Sequence, residues 1–375
     1  MSTAGPLLLA FAVAYGCAVA APLILLRLRV VPAAKAAWCL VPVILACPLL
    51  IPSASVGLRA ASAVLSGDLA FKIIDYFRRW DRLDRGTILR DYYGLLIPFP
   101  VFAVVYPDQR RRLGRPESPW PHLSRIVVGI ACVIGSVLTL RFLSGTDPIR
   151  SSFALHHAAM LLAFVVAVES LSRALCGLEH LAGFDTTPII RDIYLSRTVS
   201  EFWRRYNDRI HEWMYRNVFR TTGGRRAPAR SVVLVFLVSG VFHELMFGIA
   251  TSRFSGYQLA FFTLQAPAAL ASGRLERLAK RGGIAGRFVA HGSTILFLAV
   301  TSVLFFDGVS KVFPFIYAST SPLPRSNVYR SPHEASLVAP TARMRVIEPR
   351  ASPGASHGQS RPLSRDRRAG SPEDR

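Results

Sequence analysis

Residues Val232–Ala250 read VVLVFLVSGVFHELMFGIA, a run that is apolar except at Ser239, His243 and Glu244. A bilayer core about 30 Å thick takes about 20 helical residues, so the run has the length of a membrane span. His243 and Glu244 sit near its middle, where insertion scales put a charged side chain at about 2.5–3.5 kcal/mol. Two readings stand at this point. The pair either makes a hydrogen bond that glues one span to another, or faces a cavity and serves a function. Ser239 lies one turn before His243 on the same face and can bond to it. Glu244 is rotated by ~100° from His243, so the two do not serve one substrate atom.

Seven further apolar runs flank this one: 6–26, 36–52, 56–76, 126–143, 152–174, 256–272 and 289–307. The fold class is therefore all-α, a polytopic transmembrane helical protein of about eight spans. The runs 36–52, with Pro42 and Pro48, and 56–76, with Arg59, Asp68 and Lys72, are the weakest. A shorter run, Tyr93–Tyr106, holds Pro98 and Pro100, and arginines flank it on both sides. Proline breaks its helix, and the flanking charge favours a re-entrant segment that enters and leaves on one face. Of 375 residues, 51% are hydrophobic, and 45 Lys+Arg against 23 Asp+Glu give a net charge of +22. These charges fall in the gaps between apolar runs, which points to a membrane surface and away from nucleic acid. The basic gaps 27–35, 77–92, 107–125, 175–231 and 273–288 all fall on one side, taken as cytoplasmic, with both ends of the eight-span domain outside.

The N-terminus has no basic region ahead of its first apolar run, so that run is read as a retained span. Residues 1–319 form one membrane domain. Residues 320–375, rich in Ser, Pro and Arg, lack apolar periodicity and read as a disordered tail. The five cysteines show no metal-type spacing and read as small buried hydrophobes. The compact length and lack of retention signals point to a bacterial plasma membrane.

The long basic gap contains Glu201–Phe219, EFWRRYNDRIHEWMYRNVF. As one helix it places Phe202, Tyr206, Ile210, Trp213 and Met214 on an apolar face, with arginines largely elsewhere, as an interfacial helix requires. Asn207 and His211, four apart, are neighbours on its surface. The dipeptide His-Glu occurs twice, but a zinc-protease motif needs a second His four residues on. Tyr215 and Phe247 stand there instead, and no metal site is assigned. His156–His157 opens a span and is given no site role.

Together FWRRYNDRIHEW and SGVFHE resemble the membrane-bound O-acyltransferase superfamily, closest to its diacylglycerol and sterol O-acyltransferase branch. That branch carries F-[YW]-x-x-W-N, a His four residues past the Asn, and a membrane-embedded His in S-x-x-x-H-E. The matching positions are Phe202, Trp203, Asn207, His211, Ser239, His243 and Glu244, with Tyr206 where the family usually has Trp. Gln265 lies in the span that in the family supplies a pocket Gln. The resemblance is specific over Glu201–Pro267.

It implies a membrane-embedded transfer of a fatty acyl group from acyl-CoA to a hydroxyl of a lipid acceptor: diacylglycerol, a fatty alcohol or a sterol-like molecule. His243 is the candidate general base and Asn207 the oxyanion donor or orienting group. His211, Ser239, Gln265, Trp203, Tyr206 and Glu244 are candidates for binding substrate or co-substrate. Acyl-CoA is a co-substrate, and no cofactor is permanently bound. Membrane lipids, and a second copy in a homo-oligomer, are the implied partners. Arg204, Arg205, Arg209, Arg225 and Arg226 would favour entry of anionic coenzyme A. An O-acyltransferase for a glycan or secondary metabolite, or a transporter or scaffold on the same helices, are the competing readings.

Overall fold

The computed structural model describes residues 4–27, 33–78, Tyr92, Leu96 and 118–314. Apart from Leu96, the run read as re-entrant, 93–106, lies outside the described residues, as does the tail 320–375. Among the described residues the elements are helical: α1 (Ala4–Arg27), α2 (Ala33–Ala46), α3 (Val56–Phe77), α4 (Trp120–Ser144), the short α5 (Asp147–Ser151), α6 (Phe153–Leu181), α7 (Val199–Tyr206), α8 (Asp208–Met214), α9 (Pro228–Thr251), α10 (Tyr257–Arg281) and α11 (Gly283–Val312).

Five of these, α1, α4, α6, α9 and α11, are long and apolar enough to cross a bilayer. The other three expected spans depart for separate reasons. Helix α2 runs for 14 residues and passes into a 3-10 turn at Cys47–Leu50 with Pro48 in it. Helix α3 carries Arg59, Asp68, Lys72 and Asp75, all buried. Helix α10 continues past the expected end at 272 to Arg281, so its last turns carry Arg274, Arg277 and Lys280. Gly282 alone then separates it from α11, and the expected gap 273–288 is mostly helix.

Helix α3 tolerates its charges because it runs through the interior, each charge meeting protein. Arg59 Nη1 donates to Ser252 Oγ at 2.6 Å. Lys72 Nζ lies 3.1 Å from Asp68 Oδ2. Asp75 Oδ1 accepts from Asn217 Nδ2 at 3.0 Å. Paired and enclosed charges of this kind are the ones that persist at bilayer depth.

Small residues bring the helices close. The buried face of α1 is Ala10, Ala14, Ala18 and Ala21, and it packs on Ile44, Leu69 and Ile73 of α2 and α3. On α4, a Cβ added at Gly129 would lie 2.6 Å from the Ser170 carbonyl oxygen of α6. This is the small-residue contact by which membrane helices approach without a hydrophobic drive between them. Helix α3 meets α9 in the same way. A Cβ at Gly67 would stand 2.6 Å from Phe242 Cζ, and Phe71 lies 4.6 Å, centroid to centroid, from Phe242.

Gly67→Val should therefore push the Phe242 ring off its seat beside His243. Overpacking of this kind costs about 1–3 kcal/mol. A lowered thermal midpoint in detergent, with a monodisperse gel-filtration peak, is the expected result.

Candidate active site

The stretch 201–219 does not form one helix. It breaks at Asn207, whose φ of −156° and ψ of 86° place it between α7 and α8. The reason is local: Asn207 Oδ1 accepts from the Ile210 backbone N–H at 3.0 Å, an N-cap bond. A short amide side chain competes with the helix for the backbone in just this way. After Met214 the chain runs on as a π-helical turn, Tyr215–Phe219. Nor does the apolar side lie on a membrane surface. Trp213 and Met214 are buried, and Trp213 Nε1 donates to the Phe71 carbonyl of α3 at 3.0 Å.

The helices α3, α6, α7, α8, α9, α10 and α11 surround a chamber of about 880 Å³ with mostly apolar walls. Six of the candidate residues line it: Trp203, Tyr206, Asn207, His211, Ser239 and His243. The kink at Asn207 turns α7 and α8 about the same cavity into which α9 projects His243. Helix spacing alone did not bring these groups together.

His243 Nδ1 lies 2.8 Å from the carbonyl oxygen of Ser239, one turn earlier. A carbonyl can only accept, so Nδ1 carries the proton and Nε2 keeps its lone pair. Among the described residues Nε2 makes no hydrogen bond. It is therefore the backbone of Ser239, and not its hydroxyl, that sets the tautomer. The ring is clasped by Phe262 at 4.3 Å and Phe242 at 5.9 Å. Asn207 is complementary. Its oxygen is committed to the cap, and its amide N–H₂ makes no hydrogen bond among the described residues.

Gln265 and Glu244 stand behind the wall. Gln265 is fully buried; its Oε1 accepts from Trp203 Nε1 at 3.3 Å and its Nε2 donates to Thr301 Oγ1 at 3.2 Å. It thus holds the indole that lines the chamber. Thr301 was not singled out from sequence, and a lone Thr in an apolar run gives no signal of that role. Glu244 receives the first backbone N–H groups of α10: Gly256 on Oε1 at 2.7 Å, and Gln258 and Leu259 on Oε2 at 3.1 and 3.4 Å. It staples α9 to α10. Asp68 and Phe71 of α3 also line the chamber, and sequence reasoning had not placed them there.

A second, polar cavity of about 540 Å³ adjoins the first. Arg197, Arg204, Lys280 and Arg287 line it, and it shares Ser200 and His211 with the chamber. Two of the arginines expected to serve a co-substrate are otherwise engaged. Arg209 holds Glu179 through two bonds of 2.6 Å, and Arg205 pairs with Glu201 at 2.8 Å. Burial raises the Glu201 carboxyl, but the Arg197 N–H and Arg205 outweigh it and hold the group below its ordinary pKa. Burial pushes Tyr206 up to about 12, so its phenol stays neutral. His211 is exposed towards the cavity space, and partial desolvation, with Arg204 nearby, lowers its pKa from 6.5 against the upward pull of Asp208 and Glu212. Among the described residues no cluster of metal-ligating side chains occurs.

Glu244→Ala should leave three N–H groups without an acceptor and lower stability by about 1–3 kcal/mol, read as a thermal shift in detergent. A second expectation concerns pH. The unfolded chain takes up a proton at His211 before the folded one does, so stability should fall as pH drops below 6.5 towards the lowered folded value. His211→Asn should flatten that slope in melts recorded between pH ~7.5 and ~5.5.

Residues 143–305 match the model of the membrane-bound O-acyltransferase family. Over 100 residues the chain is 31% identical to diacylglycerol O-acyltransferase 1C of Glycine max, covering 26% of this chain and 19% of that protein. Over 72 residues it is 35% identical to probable sterol O-acyltransferase 1 of Schizosaccharomyces pombe, covering 19% and 13%. Probable long-chain-alcohol O-fatty-acyltransferase 2 of Arabidopsis thaliana is 26% identical over 184 residues, 44% of this chain and 49% of that one. The chain thus spans half or less of the length of these curated relatives. Through residues 143–305 it is related to the membrane-bound O-acyltransferase family, and it is similar to that family's diacylglycerol and sterol O-acyltransferases.

Proposed function

We propose that the chain is an O-acyltransferase that moves a fatty acyl group from acyl-CoA to the hydroxyl of a lipid acceptor within the bilayer. The observation that supports this reading is the shared chamber: His243, whose Nε2 makes no hydrogen bond among the described residues, and Asn207, whose amide N–H₂ makes none, both line one apolar cavity.

In this reading Nε2 takes the proton of the acceptor hydroxyl as its oxygen attacks the thioester carbonyl carbon. Charge gathers on the carbonyl oxygen, where the Asn207 N–H₂ donates to it. The C–S bond then breaks, the ester is released, and the proton held on His243 passes to the departing thiolate. Apolar walls keep water from competing with the alcohol for the acyl group. Ser239 acts through its carbonyl on His243, and Gln265 acts through Trp203. Both are positioning residues.

The acyl chain suits the chamber, and the anionic nucleotide of coenzyme A suits the basic cavity beside it. Arg197, Arg204, Lys280 and Arg287 outnumber the acidic groups there, Glu201 and Glu276, and Glu201 is already paired with Arg205. Cation-lined clefts raise the local concentration of such anions. The relatives named for diacylglycerol, sterol and long-chain-alcohol acylation support a hydrophobic alcohol as acceptor. We further propose that α2, α3 and α10 cross the bilayer with the five apolar spans, eight crossings in all.

The test is acyl transfer by purified protein in nanodiscs from labelled acyl-CoA to a panel of lipid alcohols. His243→Ala should lower turnover by at least about a hundredfold, the lower end of general-base contributions. Asn207→Asp keeps an acceptor for the α8 cap but removes the N–H₂. It should fold normally and lose about 10²–10³-fold in kcat. Undiminished turnover in the His243 variant would falsify the assignment.

A further inference from the structure

One face of α9 lines the chamber along most of the helix: Val232, Phe236, Ser239, His243, Met246 and Ala250 recur at intervals of three and four. At about 1.5 Å per residue the stripe is about 27 Å long. Its first end lies towards the basic cavity. Helix α7 carries Ser200, on the border with that cavity, and Trp203, whose ring lies 5.8 Å from Phe236. His243 stands about two turns beyond Phe236. Ala250 stands about two turns beyond His243, about 10 Å farther from the border.

Helix α3 runs the opposite way along α9, and three contacts fix its register. Gly67 is pressed against Phe242, Ala63 packs with Met246 and Ile249, and Arg59 Nη1 donates to Ser252 Oγ at 2.6 Å. Ala60, which also lines the chamber, therefore stands at the level of Ala250. At this level two methyl side chains from two helices form the wall, and the Arg59–Ser252 bond laces α3 to α9 just beyond them. Between here and His243 the same helices contribute Val64 and Met246. These side chains offer no hydrogen bond and receive hydrocarbon.

In the acyltransferase reading, the nucleotide of acyl-CoA lies at the basic cavity and its thioester at His243. The acyl chain leaves the carbonyl on the side away from the nucleotide, so it continues towards Ala250. An extended chain advances about 1.2 Å per bond, and about eight carbons bring it to the two alanines. We propose that Ala60 and Ala250 set acyl-chain selectivity: their small side chains leave open the space that carbons beyond about the eighth occupy, so that the chamber takes long-chain donors. The inference rests on the acyltransferase reading and deepens it by naming the donor class. Both alanines act by volume alone, and neither touches the reacting atoms.

The experiment measures kcat/KM for octanoyl-CoA and palmitoyl-CoA with one lipid alcohol, using purified protein in nanodiscs. The unaltered protein should prefer the palmitoyl donor by about tenfold or more, since each methylene buried is worth about fourfold. Ala250→Leu and Ala60→Leu fill the same space from different helices. In each, palmitoyl transfer should fall by about tenfold or more while octanoyl transfer stays within about twofold. Equal use of both donors by the unaltered protein overturns the proposal, whether or not the variants fold. So does a leucine variant that lowers both donors alike, or neither. A shift in the preferred length of the alcohol at an unchanged donor ratio overturns it as well, and gives this space to the acceptor. If no donor is used, the acyltransferase reading fails, and thermal stabilisation by the two acyl-CoAs decides the site. Greater stabilisation by palmitoyl-CoA, lost in the leucine variants, upholds it; equal stabilisation overturns it.

Discussion

Hydrocarbon offers no hydrogen bonds, so a polar group at bilayer depth must find its partners in the protein itself. Several polar side chains of the described helices meet this demand. Arg59 bonds to Ser252, Glu244 to the start of α10, Gln265 to Trp203 and Thr301, and His157 to the Ala299 carbonyl and Ser302. Against that background, unspent hydrogen-bonding capacity is informative. Two such groups belong to residues of one cavity wall: Nε2 of His243 and the amide of Asn207. In a medium that penalises every orphaned polar atom, groups left open on a common cavity wall point to a ligand that completes them.

The main outlines were legible from residues alone. The run 232–250 has the length and apolarity of a span, and α9 covers it. His243 stood out because an imidazole in such a run is expensive. Asn207, His211, Trp203 and Tyr206 stood out through a family-like spacing, and all of them line the chamber. The helix break at Asn207 was not legible. Periodicity continues across it, and only the side-chain cap reveals that two short helices replace one. The tautomer of His243 was equally hidden, since it depends on a backbone carbonyl that any residue at 239 would supply.

Helix α3 shows why a simple charge rule misleads in this setting. Arg59, Asp68 and Lys72 weakened the case for a span over 56–76, because hydropathy treats each as an isolated cost. In place, the charges are shared among neighbours and enclosed by α1, α2 and α9. A hydropathy sum contains no pairing, and pairing decides whether such a helix is tolerable. Glu244 teaches the converse. Beside a candidate base its carboxylate invites a chemical role, yet its oxygens are occupied by the backbone of the next helix.

The common border of the two cavities at Ser200 and His211 has one further consequence. A single amphiphile can lie across that border with its oily part among phenylalanines and its ionic part among arginines. Neither end then has to leave the phase it prefers, and the junction between the two halves of the molecule comes to rest at a place set by where polarity changes along the passage. On the proposed function, such a passage would select its ligand by the distance from charged head to apolar tail, through solvation and not contact.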